Sequence, residues 1–85
     1  MRYDIKIISR AEKDLNAISD SHDFGAIKNK ILSFSGNPRP FGCQKLTNEE
    51  GYRIRTGDFR ILYRIDDGAK EVIIYRIKHR REAYR

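Results

Sequence analysis

Cysteine is almost absent from this chain of 85 residues. Cys43 stands alone, so no internal disulfide can form and no cysteine cluster is available to bind a metal. The N-terminal segment is too short and too charged to be a signal peptide. A lone thiol without a secretory segment is typical of a reducing compartment, and we therefore expect a cytoplasmic protein.

Long hydrophobic runs are missing as well. No stretch approaches the length needed to cross a bilayer, so we expect no membrane association, and no repeat, linker or low-complexity segment is visible. Apolar residues make up 39% of the chain, which is enough for a single modest core, and the 35% of charged residues leaves little for a second. We therefore expect residues 1–85 to form one domain.

Acidic residues are the minority among the charges, and the net charge is +6. The excess lies in residues 51–85, which hold ten Lys/Arg against five Asp/Glu, whereas residues 1–50 hold eight against seven. Eight of those ten basic residues are arginines, whose planar guanidinium binds phosphate through two donors. The composition favours a polyanionic partner, with a merely solvated basic face as the alternative.

Residues 51–64 predict a tight β-hairpin, because two alternating runs flank the dipeptide Gly57-Asp58. A two-residue turn pairs Thr56 with Phe59, Arg55 with Arg60, Ile54 with Ile61, and Tyr52 with Tyr63. One face then carries Arg53, Arg55, Arg60, Leu62 and Arg64, and the other carries Tyr52, Ile54, Ile61, Tyr63 and Ile65. Like charges placed opposite each other destabilise a sheet, so this pairing indicates a surface that binds a polyanion.

The other elements follow from periodicity and turn signals. Residues 3–8 alternate as a first strand, and residues 9–12 predict a capping box in which Ser9 and Glu12 begin a helix. A second helix, which we expect Asp23 to cap, ends at residues 36–40. The predicted apolar stripes of the two helices are Ala11, Leu15 and Ile18, and Phe24, Ile27, Ile31 and Phe34.

After the hairpin, residues 66–70 predict a turn and residues 71–79 a further strand, while residues 44–46 can add a short one. The simplest register places Ile61 near Tyr75 and Arg60 near Arg76. Ile73, Tyr75 and Ile77 then join the core face, and Arg76 and Lys78 extend the basic face.

These elements predict an α+β fold. An N-terminal strand is followed by two antiparallel helices that pack on one face of a three- or four-stranded, mainly antiparallel sheet. Two amphipathic helices cover only one face of such a sheet. We expect them to cover the isoleucines and tyrosines and to leave the arginines in solvent.

Residues 52–63, YRIRTGDFRILY, and residues 77–84, IKHRREAY, resemble the RelE/ParE superfamily of bacterial and archaeal toxins from toxin–antitoxin pairs. The resemblance extends over the whole chain, including the order of its elements. Its RelE branch cleaves messenger RNA on the ribosome, and its ParE branch poisons DNA gyrase. The basic tail at residues 80–84 favours the RelE branch.

That resemblance implies a ribosome-dependent endoribonuclease that needs no metal or cofactor. Its partners would be the ribosome, messenger RNA and a cognate RelB-like antitoxin. A gyrase inhibitor without nuclease activity and an inactive RNA-binding homologue are the alternatives. The implied catalytic residues are Arg53, Arg55, Arg60, Arg81 and Tyr84, and the implied substrate-binding residues are Arg76, Lys78, His79 and Arg80.

Cleavage of RNA without a metal requires the ribose 2′-hydroxyl to attack the adjacent phosphate. A base must accept the hydroxyl proton, cations must stabilise the charge on phosphorus, and an acid must protonate the leaving oxygen. Arginines fit the second role. Tyr84, which could instead stack on a base, and His79 remain alternative proton acceptors, and Glu82 is a possible companion of His79.

Overall fold

The computed structural model describes residues 2–47 and 50–83, with side chains as far as Arg81. Its elements in chain order are β1 (Asp4–Ile7), α1 (Ser9–Asn16), α2 (Ser21–Ser33), β2 (Gln44–Lys45), β3 (Tyr52–Thr56), β4 (Phe59–Asp66), β5 (Glu71–His79) and α3 (Arg80–Ala83). The predicted α+β class is therefore confirmed. None of the helices in the described part of the chain is long and apolar enough to cross a membrane.

The sheet has five strands in the order β1-β5-β4-β3-β2. The sequence predicted three or four, and the count rises because β1 joins β5 in parallel while β2 adds a short edge strand. The other pairs are antiparallel. Every predicted pair of the 51–64 hairpin is confirmed, including Arg55 opposite Arg60 and Tyr52 opposite Tyr63.

The predicted pairing of β4 with β5 is wrong. Ile61 lies opposite Ile77 rather than Tyr75, and Arg60 lies opposite Lys78 rather than Arg76. A β-bulge at Tyr75 places one extra residue on β5, which reverses the alternation of side chains on its N-terminal side. The core residues of β5 are consequently Val72, Ile74 and Ile77, and Ile73 lies opposite Arg64 on the other face.

Both predicted helix caps are also wrong. No side-chain capping bond forms at the start of α1, because Ile8 is the N-cap residue and its amide donates to the Ile74 carbonyl oxygen at 3.1 Å. The chain thus passes from the β1–β5 pairing straight into the helix. Asp20 caps α2, and its side chain accepts a hydrogen bond from the amide of Asp23 at 3.0 Å.

The hydrophobic core lies between the two longer helices and one face of the sheet. The rings of Phe34 and Tyr63 stack there with centroids 4.3 Å apart, and the Tyr63 hydroxyl donates to the Pro38 carbonyl oxygen at 2.9 Å. The buried residues are Ala11, Leu15, Ile27, Ile31, Phe34, Ile54, Ile61, Tyr63, Val72, Ile74 and Ile77. Because α1 and α2 occupy this face, they leave the arginine-bearing face of the sheet uncovered.

Candidate nucleic-acid interface

The uncovered sheet face, called the open face below, carries a row of three cations at one end. Arg55 of β3 lies opposite Arg60 of β4, which lies opposite Lys78 of β5. Directly opposed residues share a face, so the three side chains leave the sheet on the same side. The sequence predicted the Arg55–Arg60 pair of this row, and Lys78 takes the third position in place of the predicted Arg76.

A cleft of about 250 Å³ lies beside this row. It is called the arginine cleft below, and it is lined by Gly42, Gln44, Arg53, Arg55 and Arg60. Arg53 is fixed in it, because its Nε and Nη2 both donate to Gln44 Oε1, at 3.1 and 2.8 Å. Arginines from two adjacent strands therefore border one space whose volume exceeds that of a phosphate group.

A smaller hollow of about 70 Å³ connects this region to the C-terminal segment. It shares Arg55 and Arg60 with the arginine cleft and adds Arg80. The amide of Arg80 donates to the Asp58 carbonyl oxygen at 2.7 Å, and its Nη1 lies 3.8 Å from Asp58 Oδ1. The start of α3 is thus attached to the hairpin turn, which brings Arg80 next to the two strand arginines.

The other end of the open face is acidic. Asp66 of β4 lies opposite Glu71 of β5, which lies opposite Asp4 of β1. Lys6 Nζ forms an ion pair with Glu71 Oε2 at 2.6 Å, which compensates part of that charge. Because the side-chain charges change from mainly positive to mainly negative along the strands, a polyanion is favoured across the strands at the cationic end rather than along their length.

Arg76 does not extend the cationic row, contrary to its predicted place. Its Nε donates to Asp14 Oδ2 of α1 at 2.8 Å, and both side chains are largely buried. The same carboxylate oxygen accepts from the Ile77 amide at 2.9 Å. β1 pairs with β5 only as far as Ile74, so beyond the bulge at Tyr75 the edge of β5 is contacted by α1 instead. Arg76 stabilises this contact between the helix and the strand.

His79 also lies apart from the arginine cleft. Its ring contacts Phe59 edge-to-face with centroids 5.1 Å apart, and Nδ1 accepts from the Arg81 amide at 3.2 Å. Together with Asp14 and Ile77 it lines a separate cavity of about 300 Å³ on the helix side of the sheet. Alternation along β5 explains this, because His79 follows Lys78 and points to the opposite face.

The remaining predicted site residues belong to the C-terminal segment. Arg81 lies in α3 and is exposed. Tyr84 lies outside the described residues, and so does the side chain of Glu82. The assignment of the groups that transfer protons therefore stays a prediction.

One group of possible metal ligands occurs within residues 2–47 and 50–83. Ligand atoms of Asp20, His22 and Asp23 lie within 4.8 Å of one another at the start of α2. Asp20 already caps the helix, and exposed acidic groups commonly gather at helix N-termini, where the helix dipole favours them. These residues are far from the arginine cleft in the fold, since α2 packs on the opposite sheet face.

Sequence reasoning missed three side chains, each of which holds one arginine in its observed position. They are Gln44 beside Arg53, Asp58 beside Arg80 and Asp14 beside Arg76. The short strand predicted at residues 44–46 was the one available signal, because pairing it with β3 places Gln44 opposite Arg53. Nothing local in the sequence indicates Asp14.

A family model described as the ParE toxin of type II toxin–antitoxin systems, parDE, matches residues 5–84. The chain belongs to the RelE/ParE superfamily of type II toxins. The resemblance predicted from residues 52–63 and 77–84 is thereby confirmed.

Named relatives agree with this membership. The toxin RelE of Mycobacterium tuberculosis is 30% identical over 84 residues, which cover 98% of this chain and 87% of that protein. The putative toxin RelE1 of Methanocaldococcus jannaschii is 32% identical over 89 residues, covering 100% of this chain and 98% of that protein. The toxin–antitoxin complex RelBE2 of M. tuberculosis contains a chain that superposes with a TM-score of 0.82 at 27% identity, covering 93% of this chain and 99% of that one.

Proposed function

We propose that this toxin is an endoribonuclease that cuts messenger RNA on the ribosome and therefore acts in the cytoplasm. The observation that supports this most directly is the cationic row. Arg55, Arg60 and Lys78 come from three adjacent strands and leave the sheet on the same uncovered face. A sugar–phosphate chain laid across the strands meets all three cations in succession.

The proposed reaction needs no metal. The ribose 2′-oxygen attacks the neighbouring phosphorus, the bond from phosphorus to the 5′-oxygen breaks, and the products are a 2′,3′-cyclic phosphate and a 5′-hydroxyl. One proton leaves the 2′-hydroxyl and one reaches the 5′-oxygen. Guanidinium donors of Arg53, Arg55 and Arg60 stabilise the charge that develops on the phosphate oxygens.

Positioning is the second contribution of these residues. In-line attack requires the 2′-oxygen, phosphorus and 5′-oxygen to be aligned, and holding a flexible RNA in that geometry accelerates the reaction. Arg53 is suited to this role because Gln44 fixes its orientation. Lys78 lies opposite Arg60, and Arg80 lines the same hollow as Arg60, so both can hold the flanking phosphates.

The C-terminal segment supplies the remaining groups of the proposal. Arg81 would bind the reacting phosphate, and Tyr84 would act as base or stack on a nucleobase. His79 is the weaker candidate for proton transfer, since its ring packs against Phe59 on the other side of the sheet. A role of His79 or Arg76 in substrate binding would require each side chain to leave its present contacts.

A cognate RelB-like antitoxin is the proposed protein partner. Solved structures with the same fold include the RelBE2 toxin–antitoxin complex of M. tuberculosis. An acidic or amphipathic helix that lies over the cationic row, or that displaces the C-terminal segment, would block the site. The first mode neutralises the positive charge that RNA binding needs, and the second removes the basic C-terminal residues from the site.

Inhibition of DNA gyrase is the second candidate function, and the description of the matching family model favours it. In that case the basic surface serves protein binding, and no RNA is cut. The two functions differ in the first process that stops after induction in cells, which is protein synthesis for the ribonuclease and DNA replication for the gyrase inhibitor. An inactive RNA-binding homologue would stop neither.

Cleavage of messenger RNA on programmed ribosomes tests the proposal. We expect new 5′ ends within the codon in the ribosomal A site, and an Arg60→Ala variant should cut about 100- to 1,000-fold more slowly. Arg64→Ala is the matched control, because Arg64 lies on the same strand but opposite Ile73, outside the cationic row. Absence of new ends with the wild-type protein, or equal rates for Arg60→Ala and wild type, would refute the ribonuclease proposal.

A further inference from the structure

Phe41 is completely exposed, with a relative accessibility of 103%. The other large apolar side chains exposed in the described residues are Leu32 at 55% and Ile8 at 41%. Single exposed apolar residues are ordinary on protein surfaces. What distinguishes Phe41 is the rigidity of the segment that carries it and the place where that segment lies.

The backbone of Phe41 is fixed by a tight turn. The amide of Cys43 donates to the Pro40 carbonyl oxygen at 3.1 Å, and Gly42 has a φ of +96°. A positive φ at the third position is the mark of a type II turn, in which Phe41 occupies the second position. Gly42 is suited to its position because a residue with a Cβ adopts this conformation only with strain.

The residues that precede the turn are anchored to the rest of the protein. The buried Tyr63 hydroxyl donates to the carbonyl oxygen of Pro38 at 2.9 Å. The Arg39 guanidinium donates to both carboxylate oxygens of Asp67, at 2.8 and 3.3 Å, and its Nε donates to the Tyr52 hydroxyl at 3.1 Å. Phe41 is therefore held in solvent by an ordered loop.

The turn forms part of the arginine cleft. Gly42, the residue after Phe41, lines that cleft together with Arg53, Arg55 and Arg60. Adjacent Cα atoms are about 3.8 Å apart, so the backbone of Phe41 lies next to a residue that lines the cleft. An exposed aromatic side chain on a turn that borders a group of arginines is a combination that single-stranded nucleic acids bind, with phosphates on the cations and a base on the ring.

We propose that Phe41 is a stacking platform for a nucleobase of the strand whose phosphates occupy the arginine cleft. This inference rests on the proposed function, and it assigns a base-contacting residue outside the basic motifs. The ring selects single-stranded over double-stranded RNA, because only an unpaired base can leave its own stack to lie on Phe41. A hydrophobic contact with a protein partner is the competing use of the same ring.

Fluorescence of a Phe41→Trp variant tests the proposal directly, because the chain contains no tryptophan and the introduced side chain is the only source of indole emission. The probe is a short oligonucleotide with 2′-deoxy sugars, which cannot be cut. We expect it to quench the indole emission of this variant by base stacking, whereas a matched abasic sugar–phosphate chain should not. Leu32→Trp is the control, since Leu32 is exposed on α2, away from the cleft.

Affinity supplies the second measurement. Phe41→Ala and Phe41→Leu should bind the oligonucleotide about 5- to 150-fold more weakly than wild type, the range for loss of one stacked base. Phe41→Trp should bind as well as wild type, because it retains an aromatic face. Equal affinity of wild type and Phe41→Ala, or quenching by a purified antitoxin but not by the oligonucleotide, would overturn the inference.

Failure of this inference is distinguishable from failure of the ribonuclease function. If wild type cuts messenger RNA on ribosomes and Phe41→Ala binds and cuts equally well, the stacking role is refuted and the ribonuclease stands. The converse result is that the wild-type protein produces no new 5′ ends on ribosomes while the oligonucleotide still quenches the emission of the Phe41→Trp variant. That result would refute the proposed ribonuclease function and support the stacking contact.

Discussion

Arg55 lies directly opposite Arg60 across the β3–β4 hairpin, and Lys78 stands on the far side of Arg60. Opposed like charges destabilise a sheet, by roughly 0.2–1 kcal/mol per pair. A polyanion bound over the row relieves that repulsion. The same positive charges therefore lower the stability of the free protein and strengthen its binding to a polyanion.

Replacement of Arg55 by Gln should separate these two effects. We expect the free energy of unfolding in urea to rise by about 0.2–1 kcal/mol at low salt, because one repulsion is removed. Binding of a single-stranded oligonucleotide should weaken, and the slope of log K against log salt should fall by about 0.7, the value for one lost phosphate contact.

Arg64→Gln serves as the control for this experiment. Arg64 lies opposite Ile73, so its removal relieves no direct repulsion and should leave the salt slope unchanged. A loss of stability in Arg55→Gln, or an identical salt slope in both variants, would show that the row is not repulsive or not a phosphate site.

Asp14 should be a stability residue. Its carboxylate accepts from Arg76 Nε and from the Ile77 amide, and only 14% of its side chain is exposed. Asp14→Ala leaves two donors without their acceptor, so we expect the free energy of unfolding to fall by about 1–3 kcal/mol. Lys13→Ala, a change at an exposed neighbour on the same helix, should alter it by less than about 0.5 kcal/mol.

Arg76→Ala extends this prediction to function. Because Arg76 is bonded to Asp14, its removal should lower stability while the rate of RNA cleavage by the folded protein stays within about twofold of wild type, a difference of about 0.4 kcal/mol. A large loss of cleavage without a loss of stability would instead support the predicted role of Arg76 in substrate binding.

The hairpin at residues 51–64 was predictable because its determinants are local. A two-residue turn fixes the register of both strands, and strict alternation then assigns every side chain to a face. That is why Arg53, Arg55 and Arg60 could be placed together from the sequence. The convergence of these three residues on one cleft follows from the same register.

The β4–β5 pairing was not predictable by the same reasoning. Its turn contains Lys70 with a φ of +57°, and a lysine in the sequence gives no indication of that left-handed conformation. The bulge at Tyr75 contains no glycine from which it could have been predicted. Asp14 and Arg76 are 62 residues apart in sequence. Such contacts depend on how α1 meets the edge of β5, which no local pattern encodes.

Gly51 should tolerate no side chain. Its φ is +129°, and a Cβ built on it would lie 2.8 Å from the carbonyl oxygen of Tyr63. Gly51→Ala should therefore lower the free energy of unfolding by about 1–3 kcal/mol from backbone strain, and steric overlap adds to this loss. Equilibrium unfolding in urea measures the change.

Gly25→Ala is the matched comparison for Gly51. Gly25 lies within α2, and a Cβ there would meet no atom within 4 Å. Alanine is the better helix former, so this variant should gain about 0.5–1 kcal/mol. If both variants lose stability equally, the position-specific conformation of Gly51 is not the cause.

Asp67 should govern part of the acid sensitivity of the fold. Hydrogen bonds from Arg39, and then from Tyr3, lower the pKa of Asp67 from 3.8 to about 2. Because the pKa of the folded state lies below that of the unfolded state, the contribution of this carboxylate is complete above about pH 4 and disappears as the pH falls to about 2. Asp67→Asn should accordingly have a lower Tm than wild type at about pH 7, and the difference should shrink between about pH 4 and about pH 2. A Tm difference for Asp67→Asn that stays constant between about pH 7 and about pH 2 would contradict the proposed linkage.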